Sequence, residues 1–431
     1  MVNRVVLKQI SVLLLILALL LAGCGSSEPA APTAAPAEPT ATAEPTVAPT
    51  TAPTATTASE VVTETQSISE TESVTGTELV TPTEVITTTE TVTTTGVVTT
   101  TETVSASATT SNAAYPAITI SNKPEVVRIG YQAIPNAELI AKQLQWHEQA
   151  LGTQIEWRQF ESGRDVNTAI ASGSIDIGLV GSSPASAGLS RGLPYDVIAL
   201  YDVIGDSEAL AVRDTIKSFA DLKGKKIAAP FGSTTHYSLL QVLKLNNISP
   251  DEVTLLDFNP SDLLAAWTRG DIDAAYVWQP TLQKLYDDGG TKLIGSDEVA
   301  AQGFPTFDVA VATRDFSSKY PEVVAVYLQN LSKGVDLYRS DPTQAAELIA
   351  KELSITPEEA TAQAKGLIWL TAAEQLAPEY FGTKDAPGAL GQAFKTTADF
   401  LVTQKVIDSA PELPVFQQGA NPAFLQAAVG K

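Results

Sequence analysis

From residue 123 onward, short apolar runs alternate along the chain with segments in which apolar residues recur at helical spacing. Residues 154–160 (Gln-Ile-Glu-Trp-Arg-Gln-Phe) alternate between apolar and polar positions, as in a half-buried strand. Residues 138–151 show the amphipathic pattern of a single helix. Strands that alternate with helices predict an α/β fold, with mainly parallel sheets covered by helices on both faces.

The predicted strands form two sets with a common plan. The first set covers residues 126–131, 154–160, 175–180 and 195–201, and the second covers 226–231, 253–258, 274–278 and 292–294. The pattern Ala-x-x-x-Gly-x-Ile-Asp-x-x-x-Val occurs at 169–180 and again at 266–277, and in both places it predicts a helix ended by glycine and followed by a buried strand. We therefore predict two lobes, with the strand-like residues 207–213 and 307–314 as the crossings between them. Further helices are predicted at 165–171, 321–338, 343–353, 357–366 and 389–402.

Residues 1–23 have the features of a secretory signal peptide. Arg4 and Lys8 precede an apolar run that is shorter than the roughly 20 residues of a membrane-spanning helix. The run ends in Leu-Ala-Gly-Cys24, which resembles the lipobox of bacterial lipoproteins, where cleavage precedes a cysteine that is then acylated. The alternative is an ordinary signal peptide with a chance cysteine. We predict lipidation of Cys24 and a mature protein anchored to the lipid bilayer on its outer side.

Residues 24–122 consist mainly of Thr, Ala, Pro, Ser, Val and Glu, with hardly any large apolar side chain. Such a segment cannot bury enough surface to offset its conformational entropy, so we predict a disordered stalk. The segment contains 11 glutamates and no lysine or arginine, which is half of the formal net charge of −22. This acidic balance excludes a nucleic-acid partner, because binding phosphates requires clustered lysine and arginine.

The small number of cysteines and histidines limits the possible chemistry. Cys24 is the only cysteine, so the chain has no intramolecular disulfide and no cysteine-based zinc site. A His or Cys metal centre is not expected, and a Ser-His-Asp triad would have to use His147 or His236, the only two histidines. We therefore expect no metal, no cofactor and no enzyme activity.

Polar and aromatic residues follow the predicted strands at the edge where open α/β sheets bind ligands. They are Gln132, Ser162, Ser182, Ser183, Ser233, Thr234, Thr235 and Trp278. Glu208 and Asp308 lie in the predicted crossings, so we expect both to face the cleft between the lobes. The set fits a small zwitterion with an acidic head and an ammonium tail. The structural alternatives are a helix cap for the serines, a core position for Trp278 and a surface charge for Glu208.

The segment around residue 233 is the strongest candidate for an anion site. A short apolar run leads to Gly232, which permits a sharp turn, and three hydroxyl residues then precede a helical pattern. The first N–H groups of a helix have no intrahelical partner, and the helix dipole adds positive potential there. The alternative is a capped helix without a ligand.

Several motifs together resemble the extracytoplasmic substrate-binding proteins of ABC importers, and among them the taurine-binding members. The resemblance covers about residues 126–402, with departures at Phe304 and Ala310. The motifs are Gly-Tyr-Gln132, Gly-Ser182-Ser183-Pro, Ser-Glu208-Ala-Leu, Ser-Thr-Thr-His-Tyr-Ser-Leu-Leu from Ser233, Tyr-Val-Trp278 and Pro-Thr-x-Asp308-Val. The resemblance implies a two-lobed periplasmic-binding-protein-like (type II) fold with two crossover strands. It implies lobe 1 from residues 123–208 and 307–431, the latter with the C-terminal helices, and lobe 2 from residues 209–306.

The resemblance also implies a function and a mode of binding. We expect a monomer that captures taurine between its lobes and delivers it to a permease in the membrane. The sulfonate is expected at Ser233, Thr234 and Thr235, with Ser182 and Ser183 opposite. Glu208 and Asp308 would bind the ammonium, while Trp278 and Tyr237 would cover the ethylene. The alternatives are another aliphatic sulfonate or small anion, an enzyme related to thiamine-precursor synthesis, and a sensor domain.

Overall fold

The computed structural model describes residues 115–431, which fold into two β-sheets flanked by helices. The predicted signal peptide, the predicted acylation site Cys24 and residues 24–114 of the predicted stalk lie outside the described residues. Among residues 115–431, no helix is both long enough and apolar enough to cross a lipid bilayer.

The first sheet contains six strands in the order β11-β4-β10-β3-β1-β2. Strand β1 pairs in parallel with β2 and β3, whereas β10 runs antiparallel between β3 and β4. The bounds are Val126–Gln132 (β1), Gln154–Phe160 (β2), Ile177–Gly181 (β3), Tyr195–Ile204 (β4), Phe307–Thr313 (β10) and Leu367–Ile368 (β11).

The second sheet contains five strands in the order β7-β6-β8-β5-β9. Strand β6 pairs in parallel with β7 and β8, and β5 runs antiparallel between β8 and β9. The strand order therefore matches that of the first sheet. In each sheet, one antiparallel strand (β10 or β5) lies beside the last of the three parallel strands in the chain (β3 or β8). The bounds are Glu208–Val212 (β5), Lys226–Ala229 (β6), Thr254–Asp257 (β7), Ala274–Trp278 (β8) and Thr291–Gly295 (β9).

Helices cover both faces of the two sheets and continue after the last long strand. Those of the first half are Ala137–Gln143 (α1), Trp146–Leu151 (α2), Gly163–Ala171 (α3), Ser182–Ser190 (α4), Thr234–Leu245 (α5), Pro260–Thr268 (α6), Thr281–Asp287 (α7) and Ser296–Ala300 (α8). Those of the second half are Arg314–Lys319 (α9), Pro321–Ser340 (α10), Pro342–Leu353 (α11), Pro357–Ala364 (α12), Leu390–Thr403 (α13), Leu413–Gly419 (α14) and Ala423–Ala428 (α15). The predicted α/β fold with two lobes is confirmed.

The repeated Gly-x-Ile-Asp motif makes the same contact in both lobes. Asp176 accepts a hydrogen bond from the backbone N–H of Arg128 in β1 at 2.8 Å, and Asp273 accepts one from Lys226 in β6 at 2.9 Å. Each carboxylate therefore ties the loop before the third strand to the start of the first strand. Both aspartates have a structural role, as their repeated position indicates.

Each lobe has its own apolar core, and the second sheet divides the core of lobe 2 into two halves, one on each face of the sheet. Tyr276 of β8 packs with α5 on one face of the second sheet, and its neighbour Val277 packs with Trp267 of α6 on the other. Successive side chains of a strand point to opposite faces, so one short apolar strand serves both halves. In lobe 1, Val309 of β10 lies in the main core.

Three details differ from the sequence prediction. The single helix expected over 138–151 is divided between α1 and α2, because Gln145 adopts a left-handed conformation with φ of 53°. The segments expected as crossings are instead β5 and β10, each hydrogen-bonded on both sides within one sheet. The folded body also begins before residue 123: the Tyr115 hydroxyl donates to Asp336 at 2.6 Å, and Gln329 donates to the Pro116 carbonyl at 2.9 Å.

Candidate ligand-binding site

A small cavity lies where the carboxyl ends of the strands of both lobes meet. Both lobes contribute to its wall, so opening or closing of the lobes changes its size. The lining residues are Gln132, Ile134, Pro135, Gly163, Gly181, Pro184, Ile204, Ser207, Glu208, Ser233, Thr234, Trp278, Gln279, Asp308 and Leu367. We call this space the cleft.

Glu208 is the first residue of β5 and is only 4% exposed. Its carboxylate accepts hydrogen bonds from the Thr234 hydroxyl at 2.5 Å and the Ser296 hydroxyl at 3.2 Å. Burial, and next the nearby charge of Asp308, raise the pKa of Glu208 to about 8. Within residues 115–431, no lysine or arginine pairs with the Glu208 carboxyl group, and burial disfavours its charge.

Asp308 is the second residue of β10 and is 8% exposed. It pairs across the strands with Gly181, and a Cβ atom on Gly181 would lie 3.4 Å from Asp308 Oδ1 and 2.6 Å from Thr234 Cγ2. Glycine is therefore required at this point for the two lobes to approach. Burial raises the pKa of Asp308 to about 7. Glu208 and Asp308 bring two acidic groups into one cleft, as predicted from their positions in the chain.

The start of α5 is capped, but its surroundings differ from the prediction. Ser233 is the N-cap, and its Oγ accepts a hydrogen bond from the His236 N–H at 3.1 Å. We expected the carboxylates at the far end of the ligand from this helix start. Instead, Glu208 accepts a hydrogen bond from Thr234 in the first turn of α5. The Glu208 carboxyl group therefore lies beside the start of α5 rather than across the cleft from it.

Five of the predicted site residues do not line the cleft. The Ser162 Oγ caps α3 through the Asp165 N–H, and the Ser182 Oγ accepts from the Phe307 N–H at 3.4 Å. The Ser183 hydroxyl donates to the Gly232 carbonyl at 3.2 Å, and Thr235 bonds Ser233. Tyr237 is 2% exposed and packs edge-on against Phe400 of α13, with ring centroids 5.2 Å apart, so it cannot cover a ligand.

The other predicted residues do line the cleft. Gln132 lies on the lobe 1 wall, where its amide donates to the Leu179 carbonyl at 3.1 Å. Trp278 ends β8 directly opposite Glu208 on the neighbouring strand, so the aromatic ring and the carboxyl group share a face of the sheet.

Sequence reasoning missed several lining residues. Gln279 follows Trp278 and could have been found by the rule that selected the other strand ends. Ser207 precedes Glu208 at the entry to lobe 2. The apolar wall formed by Ile204 and Leu367 gave no local signal, because it depends on how distant segments pack.

Contacts between the lobes close the rim of the cleft. Arg164 of α3 forms an ion pair with Asp257 of β7 at 2.7 Å, and the Ser261 hydroxyl of α6 donates to Glu161 at 2.8 Å. These contacts join lobe 1 to lobe 2, so the protein is in a closed arrangement.

The two histidines do not line the cleft. His236 stacks on Phe231 with ring centroids 4.3 Å apart, and burial lowers its pKa to about 4. His147 is fully buried, and burial lowers its pKa to about 3. Within residues 115–431, no group of three or more His, Cys, Asp or Glu side chains is arranged to hold a metal ion.

Two lobes with one strand order that close over a polar cleft are typical of two-lobed solute-binding proteins. The sequence model of the OpuAC family, described as the substrate binding domain of ABC-type glycine betaine transport system, matches residues 125–364. The chain belongs to this family. It is an extracytoplasmic solute-binding protein of an ABC importer.

Named relatives agree with this assignment. The chain is 38% identical over 284 residues to the taurine-binding periplasmic protein of Escherichia coli (strain K12), which covers 64% of this chain and 86% of that protein. It is 30% identical over 227 residues to a putative aliphatic sulfonates-binding protein of Bacillus subtilis (strain 168), covering 52% and 68%. The alkanesulfonate-binding protein SsuA from Xanthomonas axonopodis pv. citri, solved with MOPS, shares the fold with a TM-score of 0.58 and 24% identity, covering 70% and 99%.

Proposed function

We propose that this protein captures taurine in the cleft and delivers it to the permease of an ABC importer. The observation that carries this proposal is the pair of buried acids, Glu208 and Asp308, in a cleft otherwise lined by amides, hydroxyls, glycines and apolar groups. An ammonium group would form ion pairs with them, whereas a sulfonate without an amine would leave both buried without a cationic partner. The 38% identity to a taurine-binding protein supports the same ligand.

The ammonium of taurine is assigned to Glu208 and Asp308, and the ethylene to the ring of Trp278. The sulfonate is assigned to the wall of lobe 1, where α3 begins at Gly163 and α4 follows Gly181. Both glycines line the cleft, and no side chain caps the start of α4. Free N–H groups at helix starts bind anions without a charged side chain. The amide of Gln132 completes this end of the site.

The protein is proposed to act without breaking a bond, because the cleft needs only to bind, close and release. It is also proposed to be a monomer held on the outer side of the membrane by acyl chains on Cys24. The stalk predicted from the composition of residues 24–122 would give the body a reach of about 55 Å from the bilayer, enough to meet the permease. A Cys24→Ser variant of the full chain should lose incorporation of radiolabelled palmitate and appear in the soluble fraction.

Calorimetric titration of the full chain with taurine, ethanesulfonate and nitrate tests the proposed ligand. Taurine should bind at least about 30-fold more tightly than ethanesulfonate, since only taurine forms a buried ion pair, and loss of such a pair costs about 2 kcal/mol or more. Equal affinities would remove the role of Glu208 and Asp308. Tighter binding of nitrate would favour a small-anion carrier instead.

A further inference from the structure

A third buried acid, Asp202, lies beside the cleft and has no assigned role. It is 0% exposed, and neither carboxylate oxygen has a hydrogen-bond partner among the described residues. Asp202 of β4 is directly opposite Asp308 of β10 in the antiparallel pair. Side chains at such positions share a face of the sheet, with Cβ atoms about 4.5–5.5 Å apart. Ile204, two residues further along β4, lines the cleft, so Asp202 lies on the cleft side of the sheet.

Asp202, Glu208 and Asp308 therefore form one group of acids, which we call the acid cluster. The charged groups that act on Asp202 are Asp308 and then Glu208, and both add to burial in raising its pKa. Tyr276 is the neighbouring tyrosine, because its hydroxyl bonds the Ser296 hydroxyl that donates to Glu208, whereas the Tyr201 hydroxyl donates to Glu138 at 2.9 Å. Among the described residues no lysine or arginine acts on any of the three acids.

Three ionised carboxylates could not remain together in this place. Their partners are two hydroxyl groups, those of Thr234 and Ser296, and both bind only Glu208. Like charges at short separation in a buried site favour retention of protons, as in paired carboxylates that share one proton. A protonated carboxyl can also donate a hydrogen bond to a neighbouring carboxylate, which two ionised groups cannot do.

We propose that the acid cluster holds protons while the cleft is empty, and that the ammonium of an incoming zwitterion displaces them. The ligand enters unchanged as the ammonium sulfonate, and a proton leaves a carboxyl oxygen for the solvent. Capture of the ligand is thereby coupled to proton release. Asp202 acts as a positioning residue that keeps Glu208 and Asp308 protonated until the ammonium arrives. This proposal rests on the proposed function, because it requires a ligand with an amine.

Opposite pH dependences for two ligands follow from this exchange. Taurine must remove protons from the cluster, so its affinity should rise with pH, by up to about tenfold per pH unit for each proton released. Ethanesulfonate has no ammonium to replace the protons, so its affinity should fall as the acids ionise. The change should occur between the ordinary carboxyl range near pH 4 and the raised pKa values of about 7 for Asp308 and about 8 for Glu208.

The test is calorimetric titration of the full chain with taurine in phosphate and in Tris, at a common pH of about 7. The difference in heat between buffers of different ionisation enthalpy gives the protons released. We expect about one proton per taurine bound in the wild type and less than about half of that in Asp202→Asn, since removing the third acid lets the other two ionise earlier. Asp315→Asn, an exposed aspartate in the first turn of α9, should behave as the wild type.

The outcomes separate this proposal from the one on which it rests. Taurine binding with equal heats in both buffers would overturn the proton exchange and leave the proposed function intact. Absence of taurine binding in every buffer would overturn the proposed function and the exchange together. Infrared spectra of the ligand-free protein provide an independent check: the protonated-carboxyl stretch at neutral pH should weaken in Asp202→Asn, and an unchanged band would count against the cluster.

Discussion

The substitution Glu208→Gln isolates the charge that the account relies on most. Glu208 accepts hydrogen bonds from Thr234 at 2.5 Å and from Ser296 at 3.2 Å. Glutamine has the same shape: its carbonyl oxygen can still accept from Thr234, and its amide can donate to the Ser296 oxygen. The substitution therefore removes a charge from the cleft with little change in packing.

The expected loss follows from burial. Removing one partner of a buried charge pair costs about 2–5 kcal/mol, which is about 30-fold to several-thousand-fold in affinity. Taurine affinity should fall by this amount, whereas ethanesulfonate affinity should stay the same at neutral pH, because the Glu208 carboxyl group without an ammonium partner is protonated there and therefore as neutral as the amide. Isothermal titration of both ligands measures the two changes in one experiment.

Glu347→Gln is the matched control, because Glu347 is exposed on α11 of lobe 1. This variant should keep wild-type affinity for both ligands. The reasoning would be refuted if Glu208→Gln bound taurine as tightly as the wild type, or if it weakened taurine and ethanesulfonate equally. The second result would mean that the substitution had damaged the cleft as a whole.

Three further predictions address other parts of the site. Thr234→Val keeps the shape of the side chain but removes its hydroxyl. It should weaken taurine affinity by about three- to tenfold and leave ethanesulfonate affinity unchanged, since Thr234 lies at the end of the site assigned to the ammonium. Titration with both ligands measures the two affinities. Thermal unfolding of the ligand-free protein should show that its stability falls as pH rises from about 5 to 8. The stabilisation by protonated Glu208 and Asp308 is complete below their unfolded pKa values of about 4 and is lost as pH rises through their folded pKa values of about 8 and 7. Glu208→Gln should therefore flatten the dependence of stability on pH, and saturating taurine should reverse it. Arg164→Ala, at the rim, should speed taurine release by less than about fivefold in stopped-flow fluorescence, because its partly exposed ion pair with Asp257 is worth only about 0–1 kcal/mol.

Much of the fold follows from local pattern, because each strand and helix carries its own signal. The predicted strand over 154–160 coincides with β2, and the repeated Gly-x-Ile-Asp motif makes the same contact in both lobes. The break between α1 and α2 gave no such signal. The break depends on the left-handed backbone conformation of Gln145, and a glutamine in a sequence does not predict that conformation.

The site was only partly predictable for a different reason. The strand-end rule places Gln132 and Trp278 at the cleft, because it needs only the order of the elements. Glu208 and Asp308 were expected there from the predicted crossings, and both line the cleft. Which face of α5 meets the ligand depends on α13, some 150 residues later in the chain, where Phe400 packs against Tyr237. Asp202 was missed because it is one of two acids in the otherwise apolar β4, and its position opposite Asp308 depends on the insertion of β10 beside β4.

The most direct measurement of the central claim is a crystal structure of the taurine complex. The account predicts the taurine nitrogen within about 3.2 Å of carboxylate oxygens of both Glu208 and Asp308, with the sulfonate against the N–H groups that follow Gly163 and Gly181. A sulfonate bonded to Thr234 at the start of α5, with the nitrogen directed at the wall of lobe 1, would contradict it.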